Sequence, residues 1–253
     1  MDLVYPPVVM SAYGAFTLLN LKFTLHGGEN VPRSGGAVLA SNHVSYLDFI
    51  FCGLACRPSK RLVRFMAKKS TFDNPVSGPL MRSMHHIPVD RSAGADAYTR
   101  AVEWLQDGEI VGVFPEATIS QSFEIKTLKN GAARMAAQAG VPLIPMITFG
   151  GQRLWTKGHK REFTRGVGIS LMVGEPLHPT PEDDVDEVMR EFRQQLEALL
   201  DTTLEEYPQT PPEGTWWWPA RLGGGAPTLA EMQEREAASR AARAAAKAEE
   251  PGE

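Results

Sequence analysis

Six short apolar runs, at residues 37–40, 62–66, 86–89, 110–114, 141–148 and 167–173, punctuate the middle of this chain, and several are bounded by Gly, Pro or Asn. Runs of that length between turn residues read as strands. Helical patterns lie between them. Ala95, Tyr98, Val102 and Leu105 recur at helical spacing, and residues 129–138 are Ala-rich and stop at Gly140, a helix C-cap signal. Strands alternating with helices argue for an α/β sheet covered by helices. The expected fold class is α/β: a mixed, mostly parallel sheet flanked by helices.

The two ends differ from this middle. Residues 3–21 carry no charged side chain, a length that can span a bilayer. Pro6, Pro7, Ser11, Gly14, Thr17 and Asn20 interrupt the run, so the favoured reading is a helix lying at a membrane interface rather than a span or a helix packed on the body. After the last strand, Val185, Val188, Phe192, Leu196 and Leu199 mark an amphipathic helix. Then follow Pro208, Pro211, Pro212, the run Trp216, Trp217, Trp218, Pro219, and three glycines at 223–225. The tryptophans either anchor at a membrane interface or clamp this segment onto the body. Residues 228–253 are rich in Ala, Glu and Arg with almost no apolar stripe, and read as a solvated helix or a disordered tail.

The net charge of −4 hides a split: residues 22–165 hold 19 Lys and Arg against 11 Asp and Glu, and the rest of the chain holds 7 against 19. A basic middle attracts anionic head groups, phosphates or an acyl thioester carrier. No zinc-finger, RNP or helix-turn-helix pattern points to nucleic acid. Cys52 and Cys56 stand four apart in a segment read as helical, which puts them on one face as core thiols.

The chemistry concentrates in two segments. His43 is followed five positions later by Asp48, a base and a group that can orient it, and residues 114–120 read Phe-Pro-Glu-Ala-Thr-Ile-Ser where a strand breaks into a loop. In a regular helix, five residues would separate His43 and Asp48 by roughly 140°. They meet only if His43 lies in the entry turn and its ring folds back over the first helical turn. A second reading stays open: Ser45-x-x-Asp48 is also a capping box, with Asp48 satisfying backbone donors.

The motifs, taken in order, resemble the glycerolipid acyltransferase family, whose signatures are an H-x4-D pair and an FPEG-T-R-S loop. His43 and Asp48 give the first block. Asn74-Pro75-Val76-Ser77-Gly78 and then Ile87-Pro88-Val89-Asp90-Arg91 resemble the second, Phe114 to Thr118 the third, and Gly140 to Pro145 the fourth. The resemblance covers roughly residues 25–180 and looks most like the 1-acylglycerol-3-phosphate acyltransferase branch. Together with the uncharged N-terminal run and the composition of the C-terminal part, it divides the chain into residues 1–24, a membrane-associating segment, 25–207, the acyltransferase domain, and 208–253, a C-terminal Trp/Pro/Gly segment and tail.

The same resemblance implies the roles. His43 takes the proton from a lipid hydroxyl and Asp48 holds the imidazole in the right tautomer; the hydroxyl attacks an acyl thioester directly, without an acyl-enzyme. Lys68 and Arg91 match the basic residues that bind the acceptor phosphate. Glu116 and Thr118 lie in the third block, where Glu116 either bonds a glycerol hydroxyl or holds the loop. No metal and no cofactor are implied; acyl-CoA or acyl carrier protein is the co-substrate. Two departures concern the acceptor. Ala117-Thr118-Ile119-Ser120 stands where the family has Gly-Thr-Arg-Ser, and His85 stands where the second block begins with glycine. The lost arginine removes a bidentate phosphate donor, so recognition is shifted onto Lys126, Lys129 or Arg91, or relaxed.

The expected activity is acyl transfer to the free hydroxyl of 1-acyl-sn-glycerol-3-phosphate. Glycerol 3-phosphate or another lysolipid is an alternative acceptor, and a thioesterase or lipase, or a non-catalytic membrane adaptor, is a remoter alternative. No G-x-S-x-G marks a serine lipase. The expected partners are a membrane lipid surface, the lysophospholipid and the acyl donor, and the expected place is the cytoplasmic face of the membrane, held peripherally or monotopically.

Overall fold

The computed structural model describes residues 3–90 and 94–249. In chain order the elements are α1 (Tyr5–Leu18), β1 (Lys22–His26), β2 (Ala37–Ser41), α2 (Asp48–Ala55), β3 (Val63–Lys68), α3 (Lys69–Asp73), α4 (Ser77–Ser83), β4 (Ile87–Val89), α5 (Gly94–Gln106), β5 (Ile110–Val113), α6 (Gly131–Ala139), β6 (Leu143–Phe149), β7 (Gly168–Val173), α7 (Val185–Glu205) and α8 (Leu229–Glu249). All six apolar runs are strands, each within two residues of the expected ends. A seventh, β1, escaped the pattern because its residues Lys-Phe-Thr-Leu-His are at most half buried.

The strands form one sheet in the order β1-β7-β6-β2-β5-β3-β4. β2 through β6 run parallel to one another. β7 is antiparallel to β6, and β1 is parallel to β7. The central strands are buried on both faces, which is why they read as continuous apolar runs rather than alternating ones. On one face Val38 and Ala40 pack with Ala101, Leu105, Ala133, Phe192 and Leu196 from α5, α6 and α7. On the other, Ala37 and Leu39 pack with Phe51, Cys52 and Ala55 of α2, and Phe16 of α1 leans on the same cluster. Both cysteines are free and buried; burial pushes the Cys56 thiol up to about 12, so it stays an inert core group. Gly140 ends α6 in the left-handed conformation, at φ 66°.

α1 begins with Pro6 and Pro7 inside its first turn, where no backbone hydrogen bond is lost. At 14 residues it falls short of a bilayer, and no helix among the described residues is long and apolar enough to cross a membrane. It is fixed at its start by the Tyr5 hydroxyl, which donates to the Val63 carbonyl at 2.9 Å. At the other end of the chain the tryptophans clamp the C-terminal segment to the body. Trp218 meets Phe149 and Tyr207, Trp217 lies under the Arg153 guanidinium, and Trp216 stacks on His159. Residues 229–249 of the tail after them form α8. α8 is not purely solvated, because Met232 is buried.

Candidate active site

The site lies at the carboxyl ends of the parallel strands, where open α/β sheets place their ligands. β2 ends at Ser41, and Asn42 continues its register with a side chain: its amide nitrogen donates to Thr148 O at 3.1 Å and its oxygen accepts from Thr148 N at 2.8 Å. This imitation of a ladder pair fixes the next residue, His43, just past the strand end. Asp48 opens α2, five residues on.

His43 is therefore in the entry turn, as the helix geometry required, and its Nδ1 lies 2.9 Å from Asp48 Oδ2. The same oxygen accepts from Val44 N at 2.7 Å and Ser45 N at 2.8 Å. The two readings of Asp48 thus describe one atom, which gathers the backbone donors of the turn and the imidazole together. Oδ1 accepts from the Thr148 hydroxyl at 3.0 Å. The Asp48 side chain is fully buried, and the His43 side chain is 21% exposed. A carboxylate can only accept, so Nδ1 is the protonated nitrogen of this pair, and in the neutral ring the lone pair is then on Nε2. The ring stacks on Phe114, with centroids 4.3 Å apart.

Glu116 holds the loop. Its Oε1 accepts from His43 N at 2.9 Å and its Oε2 from Lys126 N at 3.3 Å. Burial pushes its carboxyl up to about 8, against those two hydrogen bonds and the Lys126 charge, which favour the ionised form. A second tether comes from the chain after β6. Ser45 Oγ donates to Trp155 O at 2.8 Å, and Thr156 Oγ1 donates to Val44 O at 2.6 Å.

A cavity of about 1410 Å³ opens beside His43. Val8, Val9 and Phe16 of α1, Ile50 and Leu54 of α2, and Phe65 of β3 are among its apolar walls. Among its cationic lining residues are Lys68, at the end of β3, and Lys129. Of the sequence-derived candidates, then, His43 and Asp48 are joined, Glu116 faces the His43 main chain, and Lys68 lines the cavity. Thr118 does not line it; its hydroxyl accepts from Lys126 Nζ at 2.5 Å. Ile119, in place of the family's arginine, is buried. Arg91 lies outside the described residues. Sequence reasoning missed Thr148 and Asn42. The one available signal was a hydroxyl inside the otherwise apolar strand β6.

An oriented imidazole with a free nitrogen beside an apolar cavity has the means to take up a proton from a lipid-like substrate, and comparison with known proteins agrees with that class of enzyme. Residues 22–148, half of the chain, match the family model described as Acyltransferase. The 1-acyl-sn-glycerol-3-phosphate acyltransferase of Bacillus subtilis is 34% identical over 170 residues, which are 63% of this chain and 79% of that one. A chloroplastic 1-acyl-sn-glycerol-3-phosphate acyltransferase of Arabidopsis thaliana is 31% identical over 166 residues, which are 64% of this chain but 45% of its own length. The crystal structure of PlsC, the 1-acyl-sn-glycerophosphate acyltransferase from Thermotoga maritima, superposes with a TM-score of 0.68 over 81% of each chain at 22% identity, a likeness of fold. The chain belongs to the PlsC-like acyltransferase family and is an acyltransferase.

Proposed function

We propose that this acyltransferase moves a fatty acyl group from acyl-CoA or acyl carrier protein to the free hydroxyl of 1-acyl-sn-glycerol-3-phosphate, giving phosphatidic acid. The observation that carries this reading is the His43–Asp48 pair, with Nε2 unengaged by the carboxylate at the edge of a large apolar cavity. His43 acts as general base. The acceptor hydroxyl gives its proton to Nε2 as its oxygen bonds the acyl carbon; the carbon–sulfur bond then breaks and the departing thiolate takes that proton. Asp48 keeps Nδ1 protonated throughout and offsets the charge of the transient imidazolium. The cavity takes the acyl chain, since its apolar lining and volume exceed what a small polar substrate needs. Lys68 and Lys129, on the cavity wall, supply the cations for the acceptor phosphate that Ile119 cannot provide. The exposure of Met10 and Leu18 on α1 supports its lying at the membrane interface on the cytoplasmic side.

Labelled acyl-CoA incubated with and without lysophosphatidic acid tests the assignment. Acceptor-dependent phosphatidic acid is expected, and His43→Ala should reduce its formation by about 10²–10⁴-fold. Free fatty acid released equally without acceptor would replace the transferase by a thioesterase. A folded His43→Ala variant that keeps more than about a tenth of the turnover would end the base assignment.

A further inference from the structure

The main chain of His43 is held at both polar groups by one loop. His43 N donates to Glu116 Oε1 at 2.9 Å, and His43 O accepts from Ser120 N at 2.7 Å. The stretch 116–126 has no helix or strand of its own. Its shape comes from Lys126, whose side chain folds back across it. The ammonium reaches Thr118 Oγ1 at 2.5 Å and Thr118 O at 3.4 Å, and its side chain is 6% exposed.

That buried ammonium is paired from outside the matched family region. Glu236 of α8 accepts from Lys126 Nζ at 2.8 Å, and Thr118 Oγ1 stands 3.3 Å from the same carboxylate oxygen. Lys157, on the loop after β6, lies 4.0 Å from it. Desolvation opposes ionisation of Glu236, yet the Lys126 hydrogen bond and charge outweigh it and hold the carboxyl below its ordinary range. Two further contacts bring the C-terminal segment onto the same loop. Arg221 pairs with Glu124 at 2.7 Å, and buried Met232 rests against Ser120 Oγ, whose own backbone N–H holds His43. A solvated tail would have none of these contacts.

We infer that Lys126 and Glu236 form a positioning latch: the C-terminal helix locks the 116–126 loop, and through Glu116 and Ser120 that loop fixes the His43 main chain where its ring can work. The inference rests on His43 being the base. Neither Lys126 nor Glu236 lines the cavity, so both act through His43 and not on substrate. The latch makes the last quarter of the chain part of the catalytic apparatus, although the family match stops at residue 148.

Glu236→Ala, Glu236→Gln and Lys126→Met in the full-length protein test it. Three quantities are read: kcat, KM for donor and acceptor, and hydrogen–deuterium exchange of peptides covering residues 42–48. Glu236→Ala should lower kcat about tenfold, leave both KM values within about twofold, and speed exchange at 42–48. The glutamine variant keeps an acceptor oxygen for Lys126 and should retain at least about half of kcat with native exchange. Adding Lys126→Met to Glu236→Ala should cost little more than either change alone, because the two residues act as one unit. The latch is overturned if Glu236→Ala matches or exceeds the unaltered enzyme in kcat, if its loss appears in KM, if 42–48 exchanges as before, or if glutamine behaves like alanine. His43→Ala separates the two readings. Activity retained there defeats the base assignment, while the exchange data still decide whether the C-terminal helix holds the loop.

Discussion

Thr148 and Asp48, 100 positions apart, meet at the foot of α2, where the threonine hydroxyl donates to Asp48 Oδ1 at 3.0 Å. The contact makes the consequence of Asp48→Asn specific. An amide oxygen can still gather Val44 N and Ser45 N, and an amide nitrogen can donate to Thr148 Oγ1, which then turns its own hydrogen toward Asn42 Oδ1, 3.4 Å away. The turn keeps its caps, so the melting temperature should move by only about 3 °C, the shift that about 1 kcal/mol brings in a chain of this size. What is lost is the charge that orients and supports the imidazole. Turnover should fall by about 10²–10⁴-fold. A large drop in melting temperature with full activity per folded molecule would mean that Asp48 serves the helix alone.

Ala117 stands where the family has glycine, and it sits at φ 60°. A Cβ there costs roughly 1–2 kcal/mol. Ala117→Gly relieves that strain and gives back about 0.4–1 kcal/mol through the freer unfolded chain. The net expectation is a stabilised protein, with a urea midpoint raised by an amount equivalent to about 0.5–1 kcal/mol. An unchanged or lower midpoint would show that the loop gains more from the alanine methyl than its backbone loses. His85, the other departure from a family glycine, likewise occupies the left-handed region, at φ 56°. Its ring meets Trp104 edge-on at 5.7 Å, a contact that glycine would forfeit.

His86 sets part of the acid sensitivity. Its Nδ1 accepts from Phe65 N at 3.0 Å, so the folded protein wants the ring neutral. Burial, then the Arg64 charge, lowers its pKa from 6.5 to about 4. A depressed folded value means stability that is present above about 6.5 and lost as pH falls through 4, because only the unfolded chain takes up the proton in between. The gap corresponds to about 3 kcal/mol. His86→Asn keeps an acceptor for Phe65 N and cannot titrate. Urea midpoints at pH 7 and pH 4.5 should therefore converge for the variant and diverge for the unaltered protein. Equal acid loss in both would assign the sensitivity to other groups.

How much of this was legible follows from where each residue sits. The runs that became β2 to β7 were readable because most of their residues are buried on both faces, which leaves apolar side chains as the workable choice. β1 was not, since a half-exposed edge strand such as Lys22–His26 carries no such constraint. His43 and Asp48 are close in sequence, so their meeting could be derived from helix geometry. Thr148, Glu236 and the target of Glu116 could not. Their partners are 100, 110 and 73 positions away, and no local pattern encodes a contact over that separation. The tail misled for a related reason. An Ala/Glu/Arg helix needs only Met232 and Glu236 to dock, too few residues to form an apolar stripe.

The N-terminal helix presents two faces, one to the cavity and one to the outside. Val8, Val9, Ala12 and Phe16 turn inward to the cavity, so deleting α1 would open the site as well as remove any attachment to lipid. Met10 and Leu18, 73% and 70% exposed, face away. Changing both to glutamate leaves the cavity wall intact and removes the apolar surface offered to a bilayer. Burying one such side chain is worth about 1.5–3 kcal/mol, so Met10→Glu with Leu18→Glu should weaken sedimentation with anionic liposomes by more than about tenfold. Activity on lipid-embedded lysophosphatidic acid should fall with it, and activity on a short-chain, water-soluble acceptor should stay near its original value. Neutral liposomes should bind the unaltered protein less well than anionic ones, because residues 22–165 hold 19 cationic against 11 anionic side chains. Trp216, Trp217 and Trp218 pack against His159, Arg153, Tyr207 and Phe149, and Trp216 and Trp217 stay partly exposed. A folded double variant that sediments like the unaltered chain would move the attachment off α1, to the basic surface or the partly exposed tryptophans.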